Sequence, residues 1–370
     1  LEGGFISQTA PAAKGHLFDG ATGWSDAIDL IPWRMYLRYD NPEILEENYK
    51  KIKEWIEFSL SRAKKDNPGR VKEREEQYSA HLLDTGWHWG EWIEPDWNGF
   101  IKTEDPGGAY LQDIYNHGAP EVCTAHLSYG CYIASQIADI LGKKAEAEYF
   151  YEMRRLTKLA YRETCVENGR MKNKRQCDYV HAIMFDMLSE KEKKNACDEL
   201  NQMIIENDYH LNTGFLSTYE LLRVLTDYGH ADTAWNLMLQ DTCPGWLYQL
   251  QFDATTIWED WKGMEKGKAP KDSMNHYSFG TFAGWLMDRA AGIIIDRRKI
   301  QIHPYPDKRI GYVKASYDSP YGEIYSSWEF VNESLKMEVR IPPNTEAEVF
   351  VPDGRCFSVG SGRYTYEAKI

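Results

Sequence analysis

A chain of 370 residues, 42% hydrophobic and 27% charged, can bury a large core and form two or three domains, or one large domain with an appendage. Its net charge of −14 argues against nucleic acid or an anionic membrane as a partner. No apolar run approaches the roughly 18 residues of a membrane-spanning helix.

Aromatic residues make up 14% of the chain, with 13 Trp and 24 Tyr. That abundance fits an aromatic-lined binding cleft, although thick helical cores also consume aromatics. The seven cysteines, Cys123, Cys131, Cys165, Cys177, Cys197, Cys243 and Cys356, are odd in number and widely spaced. They form no Cys-x-x-Cys or Cys/His cluster for zinc or redox chemistry. Most fall in helical patterns, where free Cys is a small apolar filler. A reducing compartment follows, so a cytoplasmic location is expected, with the periplasm as the alternative. Nothing reads as a signal peptide, and the first residue is Leu1 rather than Met, so the sequence is expected to be a portion of something longer.

The first 25 residues carry six glycines and prolines and little periodicity, and they read as loop. A helix is predicted from about Ser25 to Tyr39, with Ser25 or Asp26 as its cap. The next helix is clearer. Asn41 suits the N-cap, Pro42 the first helical position, and Glu43 the positive end of the dipole. Ile44, Leu45, Tyr49, Ile52, Trp55, Ile56 and Leu60 then recur at helical spacing. Residues 66–120 are mostly irregular. Trp87, Trp89, Trp92 and Trp97 fall within eleven residues there, so the stretch Asp84 to Asp96 reads as one wall of a cleft, or as a packed surface loop.

Helices resume at Glu121. They are predicted to run to Leu141, from Lys143 to Val166, from Cys177 to Leu188 and from Glu190 to Asn207. The last begins with the capping-box spacing Ser189-Glu190-Lys191-Glu192. Further helices are predicted from Thr213 to Gly229, Ala231 to Asp241, and His276 to Ala291. Roughly nine helices in antiparallel pairs around an aromatic-rich centre suggest a mainly α fold, an α/α toroid. A full six-hairpin toroid has twelve helices, so about three are expected to be missing on the N-terminal side. Past Gly292 the period changes to two, on Ile300 and Ile302, on Leu335 to Ile341 and on Ala347 to Val351. We therefore expect a helical toroid over 1–295 and a small antiparallel β-sandwich over 296–370.

Chemistry concentrates in Ala254-Thr255-Thr256-Ile257-Trp258-Glu259-Asp260-Trp261, where two indoles bracket an acidic pair. Aromatic faces stack on the C–H faces of sugars, and a carboxylate near apolar surface can act as an acid or base near neutral pH. The plainer alternative puts Trp258 and Trp261 in the core on one helical turn, with Glu259 facing solvent. Asp26 beside Trp24 is either a helix cap or an acceptor for a sugar hydroxyl.

An ordered set of motifs resembles the family 78 glycoside hydrolases, the α-L-rhamnosidases. Gly23-Trp24-Ser25-Asp26-Ala27 is followed by Pro32-Trp33, Trp89-Gly90-Glu91-Trp92 and Thr213-Gly214-Phe215-Leu216. Pro244-Gly245-Trp246-Leu247-Tyr248, then Thr255-Thr256-Ile257-Trp258-Glu259, then Asn275-His276-Tyr277 complete it. The resemblance implies a six-hairpin toroid and a C-terminal β-sandwich. It also implies removal of terminal α-L-rhamnose from a glycoside or oligosaccharide, with inversion. Glu259 would be the general base, Trp24, Trp92 and His276 pocket residues, and Asp26 and Glu91 hydroxyl acceptors, with Trp258 also in the site. Glu91 stands where many members have Asp. The family's acid-bearing Arg-Asp-Glu cluster is not found, so the acid is expected upstream of this chain, in an N-terminal part that would be a partner of it. No metal or cofactor is called for, and a homo-oligomer is compatible with the sequence. The competing readings are another toroid hydrolase, such as an unsaturated uronyl hydrolase, and a sugar-binding module without catalysis. A uronate site favours Arg or Lys at the cleft, whereas these stretches are acidic and aromatic.

Overall fold

The structure is a computed structural model and describes residues 6–7, 20–64, 80–84, 88–95 and 119–369. Among the described residues, eight helices of eight or more residues pair in chain order. They are α1 (Ala27–Tyr39), α2 (Glu43–Ala63), α3 (Pro120–Ile140), α4 (Lys144–Cys165), α5 (Gln176–Met184), α6 (Glu190–Glu206), α7 (Phe215–Asp227) and α8 (Ala231–Met238). The odd-numbered helices pack against one another in sequence, α1 on α3, α3 on α5 and α5 on α7. Each even-numbered helix packs back on its odd partner. This is an inner and an outer layer of helical hairpins, the arrangement of a toroid.

Burial follows that layering. Helix α3 buries residues all round, from Val122 and Cys123 to Ile137 and Ala138, as an inner helix must. Helix α2 buries one stripe, Leu45, Ile52, Trp55, Ile56 and Leu60, and keeps lysines and glutamates outside. Local signals fix several ends. Asn41 Oδ1 accepts the Glu43 N–H at 3.0 Å, and Glu192 Oε2 accepts the Ser189 N–H at 2.8 Å in a capping box. A short hairpin not expected from the sequence, β1 (Val166–Glu167) with β2 (Arg170–Met171), links α4 to α5.

The helix expected over 276–291 runs without a gap from Ser278 to Ala290, as a 3₁₀ turn (Ser278–Thr281), a single α turn (Phe282–Trp285) and a π turn (Leu286–Ala290). The Arg223 guanidinium crosses Gly284 so closely that a Cβ there would lie 2.3 Å from Nη2. Trp285 Nε1 donates to Thr226 Oγ1 at 3.0 Å. These contacts from α7 decide the local conformation.

After Ala291 and Gly292 the chain becomes β: β3 (Ile293–Asp296), β4 (Lys299–Ile302), β5 (Tyr312–Ser319), β6 (Gly322–Val331), β7 (Ser334–Ile341), β8 (Ala347–Phe350), β9 (Cys356–Val359) and β10 (Gly362–Lys369). They form two four-stranded sheets, ordered β10-β7-β6-β5 and β3-β4-β8-β9. Every pair is antiparallel except β4 with β8. All seven cysteines are free. Among the described residues no helix is long and apolar enough to cross a membrane.

Candidate active site

The functional side chains gather at one end of the toroid, where α1 and α7 begin and two irregular stretches, 88–95 and 254–277, meet. A row of partly exposed rings crosses this end. Trp24, in the turn before α1, lies 6.2 Å from Trp89 between ring centroids, and Trp89 lies edge-on to Trp92 at 4.9 Å. The Phe215 N–H donates to the Trp92 carbonyl at 2.9 Å. Phe215 then stacks on His276 at 4.9 Å, and His276 on Tyr277 at 5.2 Å. Four motifs distant in sequence thus form one aromatic surface. Thr85, Gly86, Trp87 and Asp96 of the expected cleft wall, and Trp97 just after it, lie outside the described residues.

Glu259 lies on the loop that is bonded to His276 of this row. Its segment is not the helical turn of the plainer reading but an extended loop. Its N–H donates to Ser273 O at 2.9 Å, and the His276 N–H donates to Ile257 O at 2.8 Å, so the two strands of the loop are zipped together. Glu259 is partly exposed, and its Oε2 accepts the Ser273 N–H at 3.2 Å. Its neighbours in the motif point elsewhere. Trp258 is 2% exposed and packs towards Phe252, with ring centroids 6.0 Å apart. Trp261 is buried on Phe279 at 4.1 Å. Asp260 is neutralised by Lys271 Nζ at 2.5 Å and accepts the Lys262 N–H at 2.7 Å. The two indoles therefore form the floor that holds Glu259 out, and Trp258 itself is not presented at the surface.

Asp26 and Glu91, expected as sugar-hydroxyl acceptors, are turned inward and engaged by the protein. Asp26 stands at the N-cap position of α1, but its side chain makes no cap bond to the helix. Oδ2 accepts the Gly23 N–H at 2.7 Å and faces His126 Nδ1 at 3.1 Å, and Oδ1 accepts Trp55 Nε1–H at 2.7 Å. Glu91 is fully buried. Its Oε2 accepts from His181 Nε2 at 2.8 Å, and Oε1 accepts the Ser217 N–H at 2.9 Å and hydroxyl at 2.6 Å. Burial pushes both carboxyls up. The hydrogen bonds from His126, Gly23 and Trp55 for Asp26, and from His181 and Ser217 for Glu91, outweigh it and hold both below the ordinary carboxylate range. Burial likewise lowers His181, and the Glu91 charge only partly offsets that.

His126, His181 and Ser217 gave no sequence signal. Each sits inside an apolar helical pattern where a polar residue reads as ordinary core, and its partner lies far along the chain. Further down the same wall, Glu94 is buried against Arg175, and Cys177 Sγ donates to it at 3.2 Å. Among the described residues no group of three or more His, Cys, Asp or Glu side chains is placed to hold a metal ion.

A toroid of helical hairpins, carrying an indole and imidazole row and a partly exposed glutamate at one end, has the architecture of the six-hairpin glycosidase class. Residues 1–290 match the bacterial alpha-L-rhamnosidase 6 hairpin glycosidase domain, and residues 298–364 match the bacterial alpha-L-rhamnosidase C-terminal domain. The chain belongs to this bacterial α-L-rhamnosidase family. It is 32% identical over 344 residues to an alpha-L-rhamnosidase of Formosa agariphila, covering 90% of this chain and 34% of that protein. It is 29% identical over 358 residues to one of Streptomyces avermitilis, covering 94% and 31%. The chain thus spans about a third of the length of the curated relatives it matches. The crystal structure of the Streptomyces avermitilis alpha-L-rhamnosidase complexed with L-rhamnose superposes with a TM-score of 0.83 at 26% identity, over 100% of this chain and 35% of that one. That of the Aspergillus terreus enzyme gives 0.79 at 26% identity, over 94% and 39%.

Proposed function

We propose that this chain supplies the general base and the sugar-facing walls of an inverting α-L-rhamnosidase. The observation that carries the reading is the placement of Glu259. It is partly exposed and held by the zipped loop, whose Ile257 carbonyl accepts the His276 N–H. Among the described residues its Oε1 has no hydrogen-bond partner. Trp24, Trp92 and His276 line the position of the terminal sugar, whose apolar C–H faces and methyl group suit ring faces. Water then attacks the anomeric carbon from the side opposite the leaving group, and its proton passes to Glu259. A second carboxyl, not assigned to a residue of this chain, protonates the leaving oxygen. In inverting glycosidases the two carboxyls stand roughly 6.5–9.5 Å apart to admit that water. Membership of the family and the likeness to an enzyme complexed with L-rhamnose support this choice of sugar.

The test is hydrolysis of an aryl α-L-rhamnoside by the intact protein and by its Glu259→Gln variant, followed by NMR. Turnover should fall by about a thousandfold or more in the variant, as expected when an essential base is removed, while the fold is kept. The first sugar formed by the parent should be the β-anomer. Near-parental turnover in the variant removes Glu259 as the base. Retention of configuration removes the inverting mechanism, and binding of L-rhamnose without turnover favours a sugar-binding module.

A further inference from the structure

Behind the aromatic row, two histidine–carboxylate pairs cross the interior of the toroid, and each ends on a different wall of the candidate site. The first is His126 of α3 with Asp26, 3.1 Å apart. The same Asp26 oxygen accepts the Gly23 N–H at 2.7 Å. That bond closes the turn from Gly23 to Asp26, and Trp24 projects from this turn. The second pair is His181 of α5 with Glu91, 2.8 Å apart. The other Glu91 oxygen grips the Ser217 N–H and hydroxyl in the first turn of α7, and the next residue, Trp92, receives the Phe215 N–H. The 88–95 wall is therefore tied to α7, and through Phe215 to His276.

The two imidazoles are not independent. Their centroids lie 5.6 Å apart, and both rings rest on Phe185, at 4.7 Å for His126 and 5.8 Å for His181. His126 is 7% exposed and His181 fully buried. An ionised carboxylate only accepts hydrogen bonds, so each histidine must present an N–H to its partner. Without that donor, a buried carboxylate loses a charge-assisted bond that cannot be replaced by solvent. The backbone carrying the tryptophan must then shift, or the carboxyl must take up a proton and release its other partners.

We infer that His126 and His181 are positioning residues of the sugar site, holding the Trp24 wall and the Trp92 wall at a fixed separation without touching the sugar. The inference rests on the reading of this end of the toroid as the sugar site. His181 works through Glu91 on the 88–95 wall and on α7, and His126 works through Asp26 on the Trp24 turn. Their shared seat on Phe185 sets one wall relative to the other.

The experiment uses the intact protein labelled with 5-fluorotryptophan. The ¹⁹F resonances of Trp24, Trp89 and Trp92 are assigned by single Trp→Phe variants, and L-rhamnose is the titrant. His181→Phe keeps the ring against Phe185 but has no donor, and His181→Gln restores a donor near Nε2. In His181→Phe the Trp89 and Trp92 resonances should move, and the dissociation constant for L-rhamnose should rise about tenfold, in line with the cost of small misplacements of binding groups. His181→Gln should bring both back towards the parent. His126→Phe should move Trp24 more than Trp92. A folded His181→Phe protein with parental resonances and parental affinity overturns the inference, as does a folded His181→Gln protein as impaired as His181→Phe. Should the Phe variants not fold, Ser217→Ala decides. It removes one hydroxyl from the same carboxylate and should weaken L-rhamnose binding severalfold, and parental affinity there overturns the inference. If the parent itself binds no L-rhamnose, the rhamnoside reading fails, and the resonances alone decide whether the histidines hold the walls.

Discussion

Of the acidic pair between the two buried tryptophans, one carboxylate is spent on structure and the other stays partly exposed. Asp260 carries the Lys271 ammonium and the Lys262 N–H, whereas Glu259 gives one oxygen to Ser273 and keeps the other free among the described residues. Buried carboxyls elsewhere in the chain show what the same group does without enough donors. Asp178 in α5 is fully buried, and its Oδ2 has no partner among the described residues. Burial, opposed by Arg175 and helped by the charges of Glu121 and Glu94, pushes it up to about 7. Between the ordinary carboxyl value and about 7, the folded chain holds a proton that the unfolded chain has released. This contribution to stability is therefore complete at low pH and is lost as pH rises through about 7. Asn at this position imitates the protonated form at every pH. The urea midpoint of Asp178→Asn should change less than that of the parent between about pH 5 and about pH 8.5. Equal changes in the two proteins would show that Asp178 does not titrate as described.

At the scale of elements, the helices that carry their own signals were legible. Asn41 and the Ser189–Glu192 capping box mark starts that the structure keeps within a residue or two. The apolar stripe of α2 is the stripe read from Leu45 to Leu60. What differed from expectation was set by partners remote in sequence. The 276–291 pattern is helical by period, but Arg223 and Thr226 of α7 reshape it. Trp258 and Trp261 have helical spacing but belong to a loop zipped against residues 273–276. The motifs that meet at the mouth could be recognised one by one, whereas the inward turn of Asp26 and Glu91 depends on histidines of α3 and α5. The junction of the 88–95 wall with α7 is one such remote contact, and Gly214 permits it. A Cβ there would lie 2.2 Å from the Trp92 carbonyl oxygen and 3.0 Å from Glu91 Cγ. The first neighbour is backbone and cannot rotate away, so Gly214→Ala must push the wall off the helix. A loss of about 1–3 kcal/mol is expected, the usual range for forced overpacking. It should appear in chemical denaturation together with faster hydrogen exchange at the Phe215 amide. Unchanged exchange at Phe215 would mean that the wall is not docked through this contact.

At the scale of the molecule, the β-sandwich and the proposed sugar site occupy opposite ends of the helical domain. The aromatic row stands at the start of α1, whereas the sandwich meets its far end. There the Arg297 N–H donates to Leu37 O, and Arg298 pairs with Asp40 at 2.8 Å. Thirteen residues of helix put about 20 Å between these ends. The sandwich nevertheless shares one hydrophobic core with the helices, running from Ile183 and Leu221 through Trp285 to Trp328, Met337 and Ala368. Trp328 is central to the join. It is 1% exposed, and its Nε1–H donates to Ala290 O at 2.7 Å, while Ser326 donates to Ala291 O at 2.6 Å. These bonds hold the last helical turn, and that turn leads back to His276. Truncating Trp328 to Ala removes a large buried side chain and orphans a carbonyl, which costs about 3–5 kcal/mol. Because the core is continuous, the loss should not stay in the sandwich. Far-UV circular dichroism, which follows the helices, and the ¹⁹F signal of a labelled sandwich Phe should fall together at one lowered temperature. With the mouth about 20 Å away, the protein that remains folded below that temperature should bind L-rhamnose with parental affinity. Two separate transitions, with the helices melting where they do in the parent, would mean that the sandwich folds as an appendage and that Trp328 does not join it to the toroid.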